Sequence, residues 1–189
     1  MVGTVAGVKD RPPLPRCRTV VVVAADAAFG QAEVRAGEEA LRTWCRAAAW
    51  CGPRGRGGHM VVQARDRGHH ALQALTRWDP DHFWRRELPR RAELGFPPAR
   101  SLVLAEGPEE ADGPAAFELL AAALGPKAEL LGPAPMGRGW RIIAKVDDAP
   151  AAARALRPPL AEAARTGSPR LSVEVDPLEV LAAPRGGTT

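Results

Sequence analysis

An α/β unit followed by an α+β unit is the fold class this sequence predicts, and three observations predict it. Thr19 to Ala25 is a β-branched run without alternation, the pattern of a strand buried on both faces of a parallel sheet. From Ser101 onward the order changes to strand, helix, strand, strand, helix, strand. Between the two patterns lies a joint, Asp79 to Pro98, that belongs to neither. The expected boundaries are 1–78, 79–98 and 99–181, with 182–189 as a frayed tail.

In the first unit Asp26 ends the opening strand, and Met1 to Arg18, with Pro12, Pro13 and Pro15, reads as an irregular lead-in. Arg35 to Trp50 carries Ala36, Ala40, Leu41, Trp44 and Ala48 at helical spacing, which predicts an amphipathic helix. Glycines from Gly52 to Gly58 stop it, His59 to Arg65 forms a second strand, and His70 to Trp78 forms a short helix. Strand, helix, strand, helix is part of a doubly wound sheet. Two strands are too few to complete one, because the edges would lie bare. The unit therefore reads as cut at its beginning.

Two features of this unit invite a chemical reading. Gly52-Pro-Arg-Gly-Arg-Gly-Gly58 is glycine-rich and basic, but it lacks the lysine and hydroxyl residue of a phosphate-cradling loop. It also precedes a strand where that loop would open a helix. A solvated loop and a phosphate or nucleic-acid contact both remain open. His69 and His70 are adjacent and are expected to point apart on a helix, which disfavours a metal or acid-base role.

In the joint, Asp79 before Pro80 reads as an N-cap and first helical residue, and Gly95, Pro97 and Pro98 as the stop. These signals imply a helix of about three to four turns. Pro89 is expected to kink or split it. Trp84, Leu88 and Ala92 fall on one projected stripe, while Arg86 and Arg90 share another, so one side is expected to pack and another to stay basic.

The second unit begins with a strand at Ser101 to Glu106 and a helix at Pro114 to Leu124 whose apolar face is Phe117, Leu120, Ala121 and Leu124. Strands follow at Ala128 to Leu131 and Trp140 to Val146, joined by a rigid connection from Gly132 to Gly139. Ala151 to Arg165 is a helix that Pro158 and Pro159 should bend or divide, and Arg170 to Val175, with Leu171, Val173 and Val175 inward, is the last strand. The β-α-β-β-α-β order is the split β-α-β, or ferredoxin-like, sandwich. No pair of carboxylates, Ser/His/Asp grouping or Cys/His grouping stands at an informative spacing in this half. What remains for a ligand is the sheet face with Arg138, Trp140, Arg141 and Lys145, where guanidinium groups can meet phosphates and an indole can stack on a base. The alternative is that Trp140 and Arg141 merely alternate between core and solvent.

Composition narrows the class. The chain has 189 residues, is 46% hydrophobic and has a net charge of +4, with a pI near 9.5. That permits an anionic partner without demanding one. Lys9, Lys127 and Lys145 are the only lysines beside many arginines and alanines, a bias that GC-rich coding also produces. No apolar run has membrane-spanning length and the start lacks signal-peptide character, so a cytoplasmic location is expected. Cys17, Cys45 and Cys51 are odd in number and lack paired spacing, against a disulfide framework or a zinc site.

Three passages in order, Phe83 to Pro98, Leu131-Gly-Pro-Ala-Pro135 and Val173-Glu-Val-Asp-Pro-Leu178, resemble the carboxy-terminal end of the PriA family, also called primosomal protein N-prime. Val2-Gly-Thr4 and Lys9, with Asp26, Ala27, Arg35 and Glu38, resemble more loosely the second, RecA-like helicase lobe of that family. The resemblance implies a partial helicase lobe followed by a ferredoxin-like domain. It also departs from the family. Where its helicases carry Gln-Val-Ala-Gly-Arg-Ala-Gly-Arg, this chain reads Arg46-Ala-Ala-Ala-Trp-Cys-Gly-Pro53, so Trp50 and Pro53 replace the arginines that would reach the ATP γ-phosphate. Arg54 or Arg56 would serve only if the loop slipped. A phosphate loop, an acidic metal-binding motif and the eight-cysteine zinc region do not occur in these residues, so the family's ATP, magnesium and zinc are not expected here. The chain is similar in this to the actinobacterial branch, in which helicase activity is considered lost.

The functional expectation is a DNA-binding part of replication restart and primosome assembly, directed at branched or single-stranded DNA, with other primosome proteins as partners and no ATP hydrolysis of its own. Arg86, Arg90, Arg138, Arg141 and Lys145 would hold the backbone and Trp140 would stack. An ATP-dependent helicase and a protein-interaction module are the alternatives, because fold alone does not fix function.

Overall fold

The computed structural model describes residues 4, 7–8, 17–29, 33–177 and 180. Most of the lead-in, including Val2, Gly3 and Lys9, and the tail from Ala182 lie outside them. The chain divides into two compact units, Met1–Glu87 and Leu88–Thr189.

In the first unit β1 (Thr19–Val22) and β2 (His59–Val62) pair in parallel, Thr19 opposite His59 and Val22 opposite Val62. Helix α1 (Ala36–Cys51) makes the crossover and α2 (His70–Arg77) follows β2. A parallel pair needs such a crossover. The helical periodicity is realised, since Ala40, Leu41, Trp44 and Ala47 are buried along α1. The first three join Ala25, Ala71, Leu72, Ala74, Leu75 and Phe83 in one core. The Asp26 carboxylate, beyond the end of β1, accepts from the Arg65 and Asp66 N–H groups at 2.8 and 3.0 Å.

Two expectations for this unit need correction. The opening strand is not buried on both faces: Val21, Val23 and Val61 are exposed, because among the described residues the packed helices cover one side of the pair only. His69 and His70 do not point apart. His69 is the N-cap of α2, with ψ 128, and that extended backbone turns its ring onto its neighbour. Phe29, His69, His70 and Phe83 form a stacked column, with centroid separations of 3.6, 4.6 and 4.9 Å. His70 Nε2 lies 2.8 Å from the Glu87 carboxylate.

Helix α3 (Pro80–Glu93) is where the division into units falls. Its start follows the sequence signal, since the Asp79 side chain accepts from His82 N–H at 3.1 Å, the N-cap bond. Its end is a Schellman turn: Phe96 N–H donates to Arg91 O at 2.7 Å, Gly95 N–H to Ala92 O, and Gly95 has φ +63. Pro89 is exposed and does not divide the helix. The expected stripe of Trp84, Leu88 and Ala92 is not the buried one. Phe83 is fully buried and Arg91 nearly so, while Leu88 is 42% exposed. The inner row is shifted by one residue because the Glu87 and Arg91 side chains find polar partners at His70 and Pro97 O.

The second unit runs β3 (Ser101–Gly107), α4 (Gly113–Leu124), β4 (Glu129–Met136), β5 (Gly139–Val146), α5 (Ala149–Thr166) and β6 (Ser172–Val175). The strands form one antiparallel sheet in the order β4-β5-β3-β6. Trp140, Ile142, Ala144 and Val146 of β5 share a face and pack with Val103, Ala105, Ala116, Leu120, Ala152 and Leu156. The expected rigid connection from Gly132 is instead the second half of β4, with a register shift between Leu131 and Ala134. Gly132 permits it, because its φ is +118 and a Cβ there would stand 2.7 Å from Arg141 O. Pro158 and Pro159 do not divide α5. Its packed row of Ala149, Ala152, Leu156 and Ala163 holds the helix through the lost backbone bonds. Arg100 ties the near ends of this sheet together. It donates to Lys127 O and Lys145 O at 2.8 Å each and to the Asp147 carboxylate at 2.8 Å.

Candidate nucleic-acid interface

Six side chains were expected to meet nucleic acid, and the structure divides them into two groups. Trp140 is 1% exposed, inside the core of the second unit. Residues alternate across a strand, so the parity that puts Ile142 and Ala144 inward puts Trp140 there too. It cannot stack on a base from that position, and the indole role assigned to it is withdrawn. Its Nε1 is buried with no hydrogen-bond partner among the described residues.

Arg141 and Lys145 lie on the opposite face of β5, and both are neutralised by residues directly across the ladder. Arg141 Nε donates to Glu106 Oε1 at 2.8 Å, and Lys145 Nζ to Glu129 Oε1 at 2.9 Å. The two side chains are only 8% and 11% exposed. Lys145 also sits over the Phe96 ring, 5.4 Å from its centroid. These cations hold the sheet together and are not available to phosphates, which corrects the expectation for both.

Arg86, Arg90 and Arg138 differ from these two in their surroundings. All three are exposed, the first two on α3 and the third in the turn between β4 and β5. None of them has an ion-pair partner among the described residues. Arg138 is fixed through its carbonyl, which accepts from Glu110 N–H at 2.9 Å, so its side chain stands on a pinned backbone.

The positions expected to correspond to a degenerate ATP-contacting motif lie on α1 and the turn after it. Arg46 is exposed and Trp50 half-buried; Pro53 precedes a 3₁₀ turn formed by Arg54–Arg56. The N–H groups of Arg56 and Gly58 both donate to Pro53 O, and that of Gly57 to Arg54 O. A phosphate cradle needs such amides free and convergent. This loop uses them on itself.

Sequence reasoning missed one exposed aromatic. Trp78, at the corner between α2 and α3, is 64% exposed. It sits directly before an N-cap aspartate and a proline, and that position between two helices was the available signal.

Among the described residues no helix is long and apolar enough to cross a membrane. Residues 92–178 match the family model of the primosomal protein N C-terminal domain. Over 116 residues, 61% of this chain, the sequence is 39% identical to a probable replication restart protein PriA of Mycobacterium leprae, of which that stretch is 17%. Over 137 residues, 69% of this chain and 20% of the relative, it is 37% identical to the probable replication restart protein PriA of Mycobacterium tuberculosis. A replication restart protein PriA of Synechocystis is 30% identical over 128 residues, 65% of this chain and 15% of that protein. The matched stretches thus amount to a fifth or less of these relatives' length. Residues 92–178 thus form a PriA C-terminal-type domain, in a chain that is similar over most of its length to mycobacterial PriA proteins.

Proposed function

We propose that this chain is the DNA-binding portion of a PriA-like replication restart protein, holding branched or single-stranded DNA by its backbone while other primosome proteins act on it. The carrying observation is the division of cations: Arg86, Arg90 and Arg138 are exposed and lack carboxylate partners among the described residues, whereas Arg141 and Lys145 are engaged in ion pairs. Exposed guanidinium groups without counter-charges are what a polyanion binds, releasing its own counterions. We read the first unit as a partial RecA-like lobe, supported by its parallel strand pair with a helical crossover. We read the second as ferredoxin-like, supported by its element order and by a sheet order in which the last strand lies beside the first. ATP hydrolysis is not part of this reading, since Trp50 and Pro53 stand where the resemblance would place the arginines that reach the γ-phosphate.

The test is binding of a labelled forked duplex across a salt series, with ATP turnover measured on the same sample. We expect affinity to fall steeply with salt, R86E/R90E to weaken binding on every sequence tried, and no DNA-stimulated hydrolysis. Salt-independent binding, an unaffected double variant or measurable turnover would each reject the proposal. Retention of a primosome protein without DNA would favour an interaction module.

A further inference from the structure

Trp78 occupies a position where tryptophan is doubly unfavourable. Its backbone is left-handed, φ 55 and ψ 38, at the C-cap of α2, a place where glycine or asparagine caps at less cost. Its large apolar side chain lies 64% exposed. Neither cost is offset by burial within the unit.

The corner is nonetheless rigid. Trp78 N–H donates to Leu75 O at 3.1 Å and Asp79 N–H to Ala74 O at 2.9 Å. The Asp79 carboxylate is held by His82 N–H and, at 2.8 Å, by the Arg85 guanidinium. An exposed ring on a fixed backbone loses little freedom on binding, which suits a stacking platform.

Charge selects the occupant. Desolvation, followed by the positive charges of Arg77, Arg86 and Arg85, lowers the His82 pKa, with Asp79 opposing, so three guanidinium groups lie within electrostatic reach of one side chain at this corner. Arg85 is answered by Asp79. Arg77 donates only to neutral acceptors of Gln73, and Arg86 has no partner among the described residues. Asp81 is the exposed acid in the same turn. An exposed indole that directly follows Arg77, whose guanidinium meets no carboxylate among the described residues, matches an unpaired base beside a phosphate better than it matches an apolar protein surface.

We infer that Trp78 stacks on an unpaired base of single-stranded DNA while Arg77, its chain neighbour, receives a flanking phosphate. This rests on the DNA-binding reading above and deepens it by naming the base contact. The stack is sequence-tolerant, because every base presents a π-face.

The experiment compares the full chain with W78N and W78F on a labelled oligo-dT and on a fully paired duplex. Asparagine tolerates the left-handed backbone, so W78N should melt at or above the wild-type temperature. We expect W78N to weaken oligo-dT binding by roughly tenfold or more and W78F to recover most of that loss. Paired duplex should be held about equally by all three, and oligo-dT should quench wild-type tryptophan fluorescence more than that of W78F. If wild type binds oligo-dT and W78N binds it equally well, the stacking inference falls while the DNA-binding reading stands. If wild type binds no DNA at all, both fall. A clear drop in the melting temperature of W78N would make the indole a structural residue and overturn the inference as well.

Discussion

Replacing Arg138 and Arg141, three positions apart in sequence, should produce opposite phenotypes. Arg138 is exposed and its guanidinium touches no carboxylate among the described residues, so R138Q should change stability by no more than about 0.5 kcal/mol. Each phosphate contact contributes about 0.9 to the slope of log affinity against log salt on duplex DNA, which at about 0.15 M salt corresponds to roughly fivefold in affinity. R138Q should lose that factor and flatten the slope by the same amount. Arg141 is different, its side chain 8% exposed and bonded to Glu106 across the β3–β5 ladder. R141M strands a carboxylate, but Glu106 is 32% exposed and can rehydrate, so the loss should sit toward the lower end of about 1–3 kcal/mol. For a unit of this size that is a fall of roughly 4–8 °C per kcal/mol. Adding E106L should recover part of it, since a packed apolar pair replaces the ion pair without leaving a lone charge. Thermal melts and anisotropy of a forked duplex between about 50 and 200 mM salt read both effects. The reasoning is refuted if R141M flattens the salt slope while R138Q leaves it intact.

Two further outcomes follow from the geometry. A methyl group at Gly107 would stand 2.5 Å from both Arg170 O and Trp140 Nε1, so G107A should cost about 1–3 kcal/mol or more in a urea titration. G55A, where nothing lies within 4 Å, should stay within about 1 kcal/mol of wild type. Equal stability of the two variants would mean that the indole is not wedged where it is described. Backbone N–H groups of Asp66 and Arg65 hold the Asp26 pKa below its ordinary value. A depressed carboxylate stabilises the folded form above its unfolded pKa and loses that contribution as pH falls through the lower, folded value. Protection of the Arg65 and Asp66 amides against hydrogen exchange should therefore persist from neutral pH down through the unfolded aspartate range of about 3.9 and fade only below it. D26N should show weak protection at both. Amides that exchange alike at both pH values in the wild type would contradict the assigned bonds.

Local patterns revealed the fold well where one element's own residues decide its state. Ala40, Leu41 and Trp44 on α1, the Asp79 cap and the Gly95 stop were all readable from spacing and turn chemistry. The misreadings fall where a distant partner decides. Gly132 to Met136 has the composition of a connection, yet it pairs as strand because β5 lies alongside and Gly132 admits the backbone that β-carbons forbid. Pro158 and Pro159 carry a strong breaking signal that packing along Ala152, Leu156 and Ala163 overrides.

For the interface, the face of Trp140 was legible and the state of its neighbours was not. Trp140 shares strand parity with Ile142, Ala144 and Val146, so four alternating apolar residues already assigned it to the core, and an indole and a guanidinium adjacent in a strand cannot face one ligand. That Arg141 and Lys145 are neutralised depends on Glu106 and Glu129, which stand 35 and 16 residues away; no local window relates them. It follows that arginine counts overstate the surface available to a polyanion, because a cation opposed by a carboxylate across a ladder belongs to the fold. The cations left for the proposed contact are those in turns and on helix faces, where no neighbouring strand supplies the counter-charge, and Arg77, Arg86, Arg90 and Arg138 all lie there.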